Sequence, residues 1–308
     1  MESNKQLVDE IRQLKEERNA VILAHYYVTD DVQDVADYVG DSFGLSKTAS
    51  QIDCDVLVFC GVQFMGESAK LLSPKKKVLM PAPDADCPMA HMVEPAAIQK
   101  VREEYDDLAV VCYVNSTIDT KAASDVCVTS SNAQKIVSKL PQKNIFFVPD
   151  RHLGHYLSEQ LPEKNFILNP GFCPIHESIQ LEEIEELKRL HPKARVLMHP
   201  ECPEWVLTQA DYVGSTAGII KQAVEGDADE YIIATVVGVL HEIEKQAAGQ
   251  NKRFYFPKTT PICPNMRKLT LPKVRDCLLA DTGEVPMPSG EVCDKARQAL
   301  QRMLELAK

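Results

Sequence analysis

Four short sequence patterns occur three times along this chain, in the same order and at nearly the same spacing, and self-similarity of this kind constrains a fold strongly. Apolar runs ending in polar residues recur as AVILAHYY (20–27), AVVCYVNS (109–116) and ARVLMHPE (194–201). His25 and Tyr113 are 88 residues apart, and Tyr113 and His199 are 86 apart. The second set, DYVGDSFGL (37–45), DVCVTSSNA (125–133) and DYVGSTAGI (211–219), aligns without gaps, so that Ser42, Ser130 and Thr216 coincide. The third set, DVLVFCG (55–61), NIFFVPD (144–150) and EYIIATV (230–236), matches in pattern more than in identity. The fourth, KVLMPAP (77–83), NFILNPG (165–171) and RFYFPKT (253–259), leads each time to a Cys-Pro: Cys87-Pro88, Cys173-Pro174 and Cys263-Pro264.

Each unit reads strand, helix, strand, helix, strand, helix, strand. The strands are short continuous apolar runs, the pattern of parallel strands buried on both faces. The stretches 31–39, 131–140, 218–226 and 237–247 have helical period. Longer helices are predicted before the units, over 4–18, 94–106 and 178–190, and one in the tail near 291–307. The glutamate-rich side of the third, SIQLEEIEELKRL, reads as a solvated face. Parallel strands with right-handed crossovers give three-layer αβα domains. The expected architecture is α/β: three pseudo-threefold-related αβα domains with parallel four-stranded sheets around a central site. Their boundaries fall at 1–87, 88–173 and 174–263, with residues 264–308 as a tail and helix packing back on the core.

Composition narrows the function. With 34 Lys+Arg against 45 Asp+Glu, the net charge of −11 argues against a nucleic-acid or membrane-surface binder. No run of 18 apolar residues marks a transmembrane span. The start, MESNKQLVDEIRQLKEER, reads as a charged amphipathic helix and not a signal peptide, which implies the cytoplasm. Ten cysteines there are no disulfide framework. No C-x-x-C, H-E-x-x-H or G-x-G-x-x-G occurs. The P-loop-like stretch Gly61–Ser68 carries Glu67 where the lysine belongs, and a carboxylate there repels phosphate.

Ligands of open parallel sheets bind beyond the carboxyl ends of the strands, and the recurring polar residues all fall there. His25, Tyr27, Tyr113, Asn115, His199 and Glu201 follow the first strands. In extended chain, residues i and i+2 share a face, so His199 and Glu201 suit an acid–base pair. Ser42, Ser130 and Thr216 open the next helices, where N-cap hydroxyls and free N–H groups bind anions. One cysteine per unit, Cys87, Cys173 and Cys263, offers three thiolates to a metal centre on the axis. That centre is either a zinc ion with an open position or a cubane iron–sulfur cluster with one iron free of cysteine. Cys60, Cys112 and Cys127 lie inside apolar strands and read as core; Cys202, beside Glu201, is the reserve ligand. Two rival readings remain: a non-catalytic small-anion-binding protein with a structural metal, and a hydrolase using Thr216 as nucleophile.

At these residues the sequence resembles the quinolinate synthase family, the A proteins of de novo NAD biosynthesis. The matching stretches are LAHYYVTDDVQDVADYVGDS (23–42), FCGVQFMGESAKLL (59–72), CYVNSTIDTKAASDVCVTSSNA (112–133), NPGFCPIH (169–176), HPECP (199–203), YVGSTAGII (212–220) and CPNMRKLTL (263–271). The resemblance implies a transferase that condenses iminoaspartate with dihydroxyacetone phosphate to quinolinate, releasing phosphate and two waters. It implies one [4Fe-4S] cluster per chain, held by Cys87, Cys173 and Cys263, that does not change redox state in turnover. It places His25, Ser42, Tyr113, Val114, Asn115, Ser130, His199, Pro200, Glu201 and Thr216 around the substrate, with Tyr27, His199 and Glu201 as proton carriers. By the same analogy, an oxidase is the source of iminoaspartate. One departure is that only Cys263 stands where longer members carry a C-x-x-C-x-x-C cluster, which leaves thiol–disulfide regulation without its residues.

Overall fold

The computed structural model describes residues 4–287 and 289–308; residues 1–3, which open the predicted amphipathic segment, and Pro288 in the tail lie outside the described residues. The chain forms three four-stranded, all-parallel sheets. The first contains β1 (Ala20–His25), β2 (Tyr38–Gly40), β3 (Val56–Cys60) and β4 (Lys77–Leu79), in the order β2-β1-β3-β4. The second contains β5 (Leu108–Tyr113), β6 (Val126–Val128), β7 (Asn144–Val148) and β8 (Asn165–Leu168), ordered β6-β5-β7-β8. The third contains β9 (Arg195–Met198), β10 (Tyr212–Val213), β11 (Glu230–Ala234) and β12 (Arg253–Tyr255), ordered β10-β9-β11-β12. Each sheet with its helices is called a unit below.

The repeat extends to register. His25 pairs with Gly40, Tyr113 with Val128 and Met198 with Val213, 15 residues on in every sheet. Ala24 pairs with Cys60, Cys112 with Val148 and Met198 with Ala234, 36 residues on in each. One side chain explains why an aspartate opens the second sequence pattern every time. Asp37, Asp125 and Asp211 accept the backbone N–H of Ile22, Val110 and Val196 at 2.7–2.8 Å, and so pin the first strand of each sheet beside the second. The same pairing shortens the helix predicted over 31–39 to Asp30–Val35, because Tyr38–Gly40 join the sheet instead.

The central strands Val56–Cys60 and Leu108–Tyr113 are buried at every residue, as parallel strands covered on both faces must be. The helices ahead of the units run Asn4–Glu17, Pro95–Glu104 and Leu181–Leu190, and in the last only Ile184 is fully buried. The tail joins units 1 and 2. Met80 N–H donates to Gly283 O (2.8 Å) and Val285 N–H to Val78 O (2.9 Å), covering the edge of β4. Gly283 has φ +77°, and a Cβ there would lie 2.2 Å from Met80 O, so this crossing requires glycine. The tail helix Glu291–Leu306 then packs on β6 and on the helices Ile118–Ala122 and Gln63–Leu72, with Arg297 Nε donating to Leu71 O (2.9 Å). Among the described residues, no helix is long and apolar enough to cross a membrane.

Candidate active site

The carboxyl ends of the three sheets converge on one cavity of about 160 Å³. Unit 1 lines it with His25, Tyr27 and Ser42, unit 2 with Tyr113, Asn115 and Ser130, and unit 3 with His199, Glu201 and Thr216. Cys87, Cys173 and Cys263 line it too. Two residues assigned to the substrate by resemblance do not reach it. Val114 is held by its N–H on Val128 O (2.9 Å) with its side chain in the core. Pro200 faces a separate hollow, because the alternation along 199–201 turns it away from its two neighbours.

The expected N-caps are displaced by one residue. Asp41 caps the helix Ser42–Gln51 by accepting from Gly44 N–H (2.8 Å), and Ser215 caps Thr216–Glu225 by accepting from Gly218 N–H (3.2 Å). Ser42 and Thr216 are therefore the first helical residues, and capping does not occupy their hydroxyls. In unit 2 the helix starts later, at Ala133, and Ser130 Oγ lies 3.2 Å from His199 Nε2.

A continuous polar chain crosses the cavity. Tyr113 Oη donates to Glu201 Oε1 (2.6 Å), and His176 Nδ1 lies 2.7 Å from Glu201 Oε2. His176 Nε2 is 2.9 Å from Thr235 Oγ1, which is 2.8 Å from Tyr27 Oη, which is 2.9 Å from Thr216 Oγ1. The expected His199–Glu201 contact is 3.9 Å, beyond hydrogen-bond range. His199 Nδ1 instead accepts the backbone N–H of Glu201 (3.3 Å), as His25 Nδ1 accepts that of Tyr27 (3.2 Å). With Nδ1 accepting, the proton of each neutral ring sits on Nε2.

Burial, opposed by Glu201, lowers His25 to about 4; burial also lowers His199 to about 3. Both rings are neutral Nε2–H donors near pH 7. Burial works to raise Glu201, but the charges of His176 and His199 and the hydrogen bonds from His176 and Tyr113 overcome it and hold the carboxyl well below its usual range. Burial and then the Glu201 charge push both Tyr27 and Tyr113 upward, so the phenols stay protonated.

His176 is the residue that the repeat could not reveal. It stacks on His199 at 4.8 Å and sits three residues after Cys173, where the other units have Ala90 and Met266. The signal was local: a histidine one helical turn beyond a candidate ligand, its Nδ1 3.3 Å from Cys173 Sγ.

The three cavity cysteines are half-buried. Burial, then the neighbouring Cys263, pushes the Cys87 thiol up to about 12, and burial and Glu201 push Cys173 upward, so these thiols need a bound cation to ionise. Among the described residues, the three sulfurs are not a set lying within 4.8 Å of one another. One zinc at about 2.3 Å from each thiolate requires a tighter gathering. Cys173 does lie with His176 and Glu201 in a set whose ligand atoms are within 4.8 Å of one another and could hold a single ion; three thiols around one cavity, one from each unit, suit a larger group such as an iron–sulfur cluster. Cys202 is buried against Ala234 O and does not line the cavity, so it is no reserve ligand. Cys60, Cys112 and Cys127 are fully buried in their strands.

Fold and site together define a pseudo-threefold αβα protein with a thiol-rimmed acid–base cavity on its axis. Residues 9–305 match the family described as quinolinate synthetase A protein. The chain is 51% identical over 299 residues to quinolinate synthase of Fusobacterium nucleatum, covering 97% of this chain and 99% of that one. It is 46% identical to that of Aquifex aeolicus (99% and 96% covered) and 47% to that of Clostridioides difficile (99% of each). The chain belongs to the quinolinate synthetase A protein family.

Proposed function

We propose that this chain is the quinolinate synthase of its cell, condensing iminoaspartate with dihydroxyacetone phosphate to quinolinate in the axial cavity, with loss of phosphate and two waters. The observation that carries the reading is the buried Glu201 carboxylate, hydrogen-bonded to Tyr113, paired with His176, and sharing its cavity with three thiols. Cys87, Cys173 and Cys263 would hold a [4Fe-4S] cluster, which supplies a Lewis acid through an iron free of cysteine.

The chain's own residues supply the rest. His25 and His199 present Nε2–H donors, and Ser42, Ser130, Thr216 and Asn115 present hydroxyls and an amide to the anionic oxygens of the substrates. Among the described residues Asn115 Oδ1 is buried without a partner, which leaves it able to accept an N–H or O–H of a bound substrate. Ser42 and Thr216 open ten-residue helices whose N-termini favour negative charge. That local attraction offsets the net charge of −11. Glu201 takes a proton from the condensing carbon, and His176, whose Nδ1–H donates to the carboxylate, orients it. The protonated phenols of Tyr27 and Tyr113 serve as donors to departing oxygen. An oxidase that forms the imine is the expected source of iminoaspartate.

The test is an anaerobic assay. Brown, iron-containing protein should form quinolinate from the two substrates; a colourless, zinc-loaded protein with no product would reject the reading.

A further inference from the structure

A second hollow, of about 180 Å³, lies behind one wall of the cavity, between units 2 and 3. Three strand-to-helix loops build this wall, and it is one residue thick. Thr129, His199, Glu201 and Thr216 face the cavity, whereas Ser131, Pro200 and Ser215 face the hollow. Ser130 lines both. Its hydroxyl, accepting from His199 Nε2–H at 3.2 Å, is the hydrogen bond that joins unit 2 to unit 3 at this point.

The lining has a distinct chemistry. In a chain of net charge −11, no carboxylate among the described residues lines the hollow. Its polar groups are hydroxyls and one amide, from Ser130, Ser131, Ser215, Tyr156, Tyr212 and Gln134. Ser131 and Gln134 are exposed and form its outer rim. On the cysteine side the cavity meets solvent through the exposed Pro88, Pro174 and Pro264, each next to one of the three thiols. A cofactor held by those thiols stands in that path. Small anions then need another way in, and the Ser130 wall is where a cavity and an acid-free hollow adjoin.

We propose that this hollow is the antechamber through which small carboxylate- and phosphate-bearing molecules reach the cavity and product leaves it, with the Ser130–His199 hydrogen bond as the inner door. The proposal rests on the cavity being the quinolinate-forming site. Opening the door is mechanically cheap. The buried residues on the two sides of the wall belong to different apolar cores, so a small parting at this wall separates Ser130 from His199 without drawing a buried core residue out of its cluster.

The test plugs the hollow from its outer rim, at residues that do not themselves line the cavity. Gln134→Trp places an indole on the exposed rim, and Ser131→Phe is the second plug should the first fold poorly. Gln99→Trp, on a surface groove beside the tail helix, is the control. Binding and release of quinolinate by the cluster-loaded enzyme are followed by stopped-flow absorption. An obstructed route slows association and dissociation together, so both rates should fall roughly tenfold or more in the plugged variants with Kd unchanged. Steady-state kcat/KM for dihydroxyacetone phosphate should fall with them, and Gln99→Trp should match the unsubstituted enzyme. Unchanged rates in both plugged variants would overturn the route. A changed Kd with an unchanged association rate would also overturn it, making the hollow part of the binding site instead. If the unsubstituted enzyme neither binds nor forms quinolinate, the cavity reading fails first.

Discussion

Units 1 and 2 are built differently from unit 3, although all three repeat one sheet. The first two sheets and the tail helices share one continuous apolar core, running from Leu7 and Ile22 through Val111 and Phe147 to Leu300 and Met303. Unit 3 has two small cores, one on each face of its sheet. Val196, Met198, Ile232 and Ala234 pack on one side, and Leu197, Tyr231 and Ile233 on the other. Contacts from unit 3 to the larger body include polar ones: His241 Nε2 on Asp34 (2.8 Å), Gln33 Nε2 on Gly238 O (3.1 Å), Tyr113 on Glu201 and His199 on Ser130. An apolar interface fixes its partners, whereas a polar, partly wet one can open and reform. The active site lies on that seam, with Glu201, His199 and Thr216 on one side and Tyr113, Ser130 and Tyr27 on the other.

The largest expected effect comes from removing what would bind both bodies at once. Cys87→Ala, Cys173→Ala and Cys263→Ala should each abolish the brown colour and all turnover, whereas Cys60→Ala and Cys127→Ala should keep both. Iron content and activity measure this directly. Hydrogen exchange adds the comparison: loss of the cofactor should raise exchange in β9–β12 more than in β1–β8. Equal loosening everywhere would mean that the two bodies do not differ.

Glu201→Gln comes next. It keeps the shape of the seam and removes its base, so turnover should fall by about 10² to 10⁴ with iron content intact, the usual weight of general acid–base catalysis. His176→Gln should cost less, roughly 10- to 100-fold, because it orients the primary group. A His176→Gln enzyme with unsubstituted kcat would show that Glu201 needs no partner from the loop after Cys173.

Which parts were legible in the sequence follows from the same contrast. The strand–helix alternation, the four parallel strands and the three cavity cysteines recur in every unit, so repetition disclosed them; Asp37, Asp125 and Asp211 show that the repeat reflects a repeated hydrogen bond. Features present once were invisible to it. His176 has no counterpart, Gly283–Val285 covers only the edge of β4, and the shared core depends on how sheets pack rather than on local pattern. The cap assignment failed for a finer reason. A hydroxyl at the first helical position and one at the cap are a single residue apart, and periodicity places helix ends no better than that.

Equal cavities cut into the two kinds of core should travel different distances. Leu57→Ala in β3 and Ile233→Ala in β11 both truncate fully buried side chains, at a cost of about 2–5 kcal/mol each. Chemical unfolding followed by hydrogen exchange should show Leu57→Ala weakening units 1, 2 and the tail together. Ile233→Ala should weaken unit 3 and leave β1–β8 near their original protection.

The smallest effect makes the same distinction with one hydrogen bond. Asp41 and Ser215 occupy equivalent caps in units 1 and 3, and each accepts an N–H three residues on. Replacing either by alanine removes one cap, worth about 1 kcal/mol. In Asp41→Ala the loss falls on a helix whose buried Leu45 and Ala49 belong to the shared core, so it should spread over the whole larger body and scarcely change local exchange. In Ser215→Ala the helix Thr216–Glu225 rests on unit 3's own small cluster, through Ile219, Ile220 and Ala223. The same loss should therefore appear locally, as faster exchange along that helix and its strand β9. If both variants spread their effect alike, unit 3 is coupled to the larger body as tightly as units 1 and 2 are to each other, and the seam is closed by more than its polar contacts.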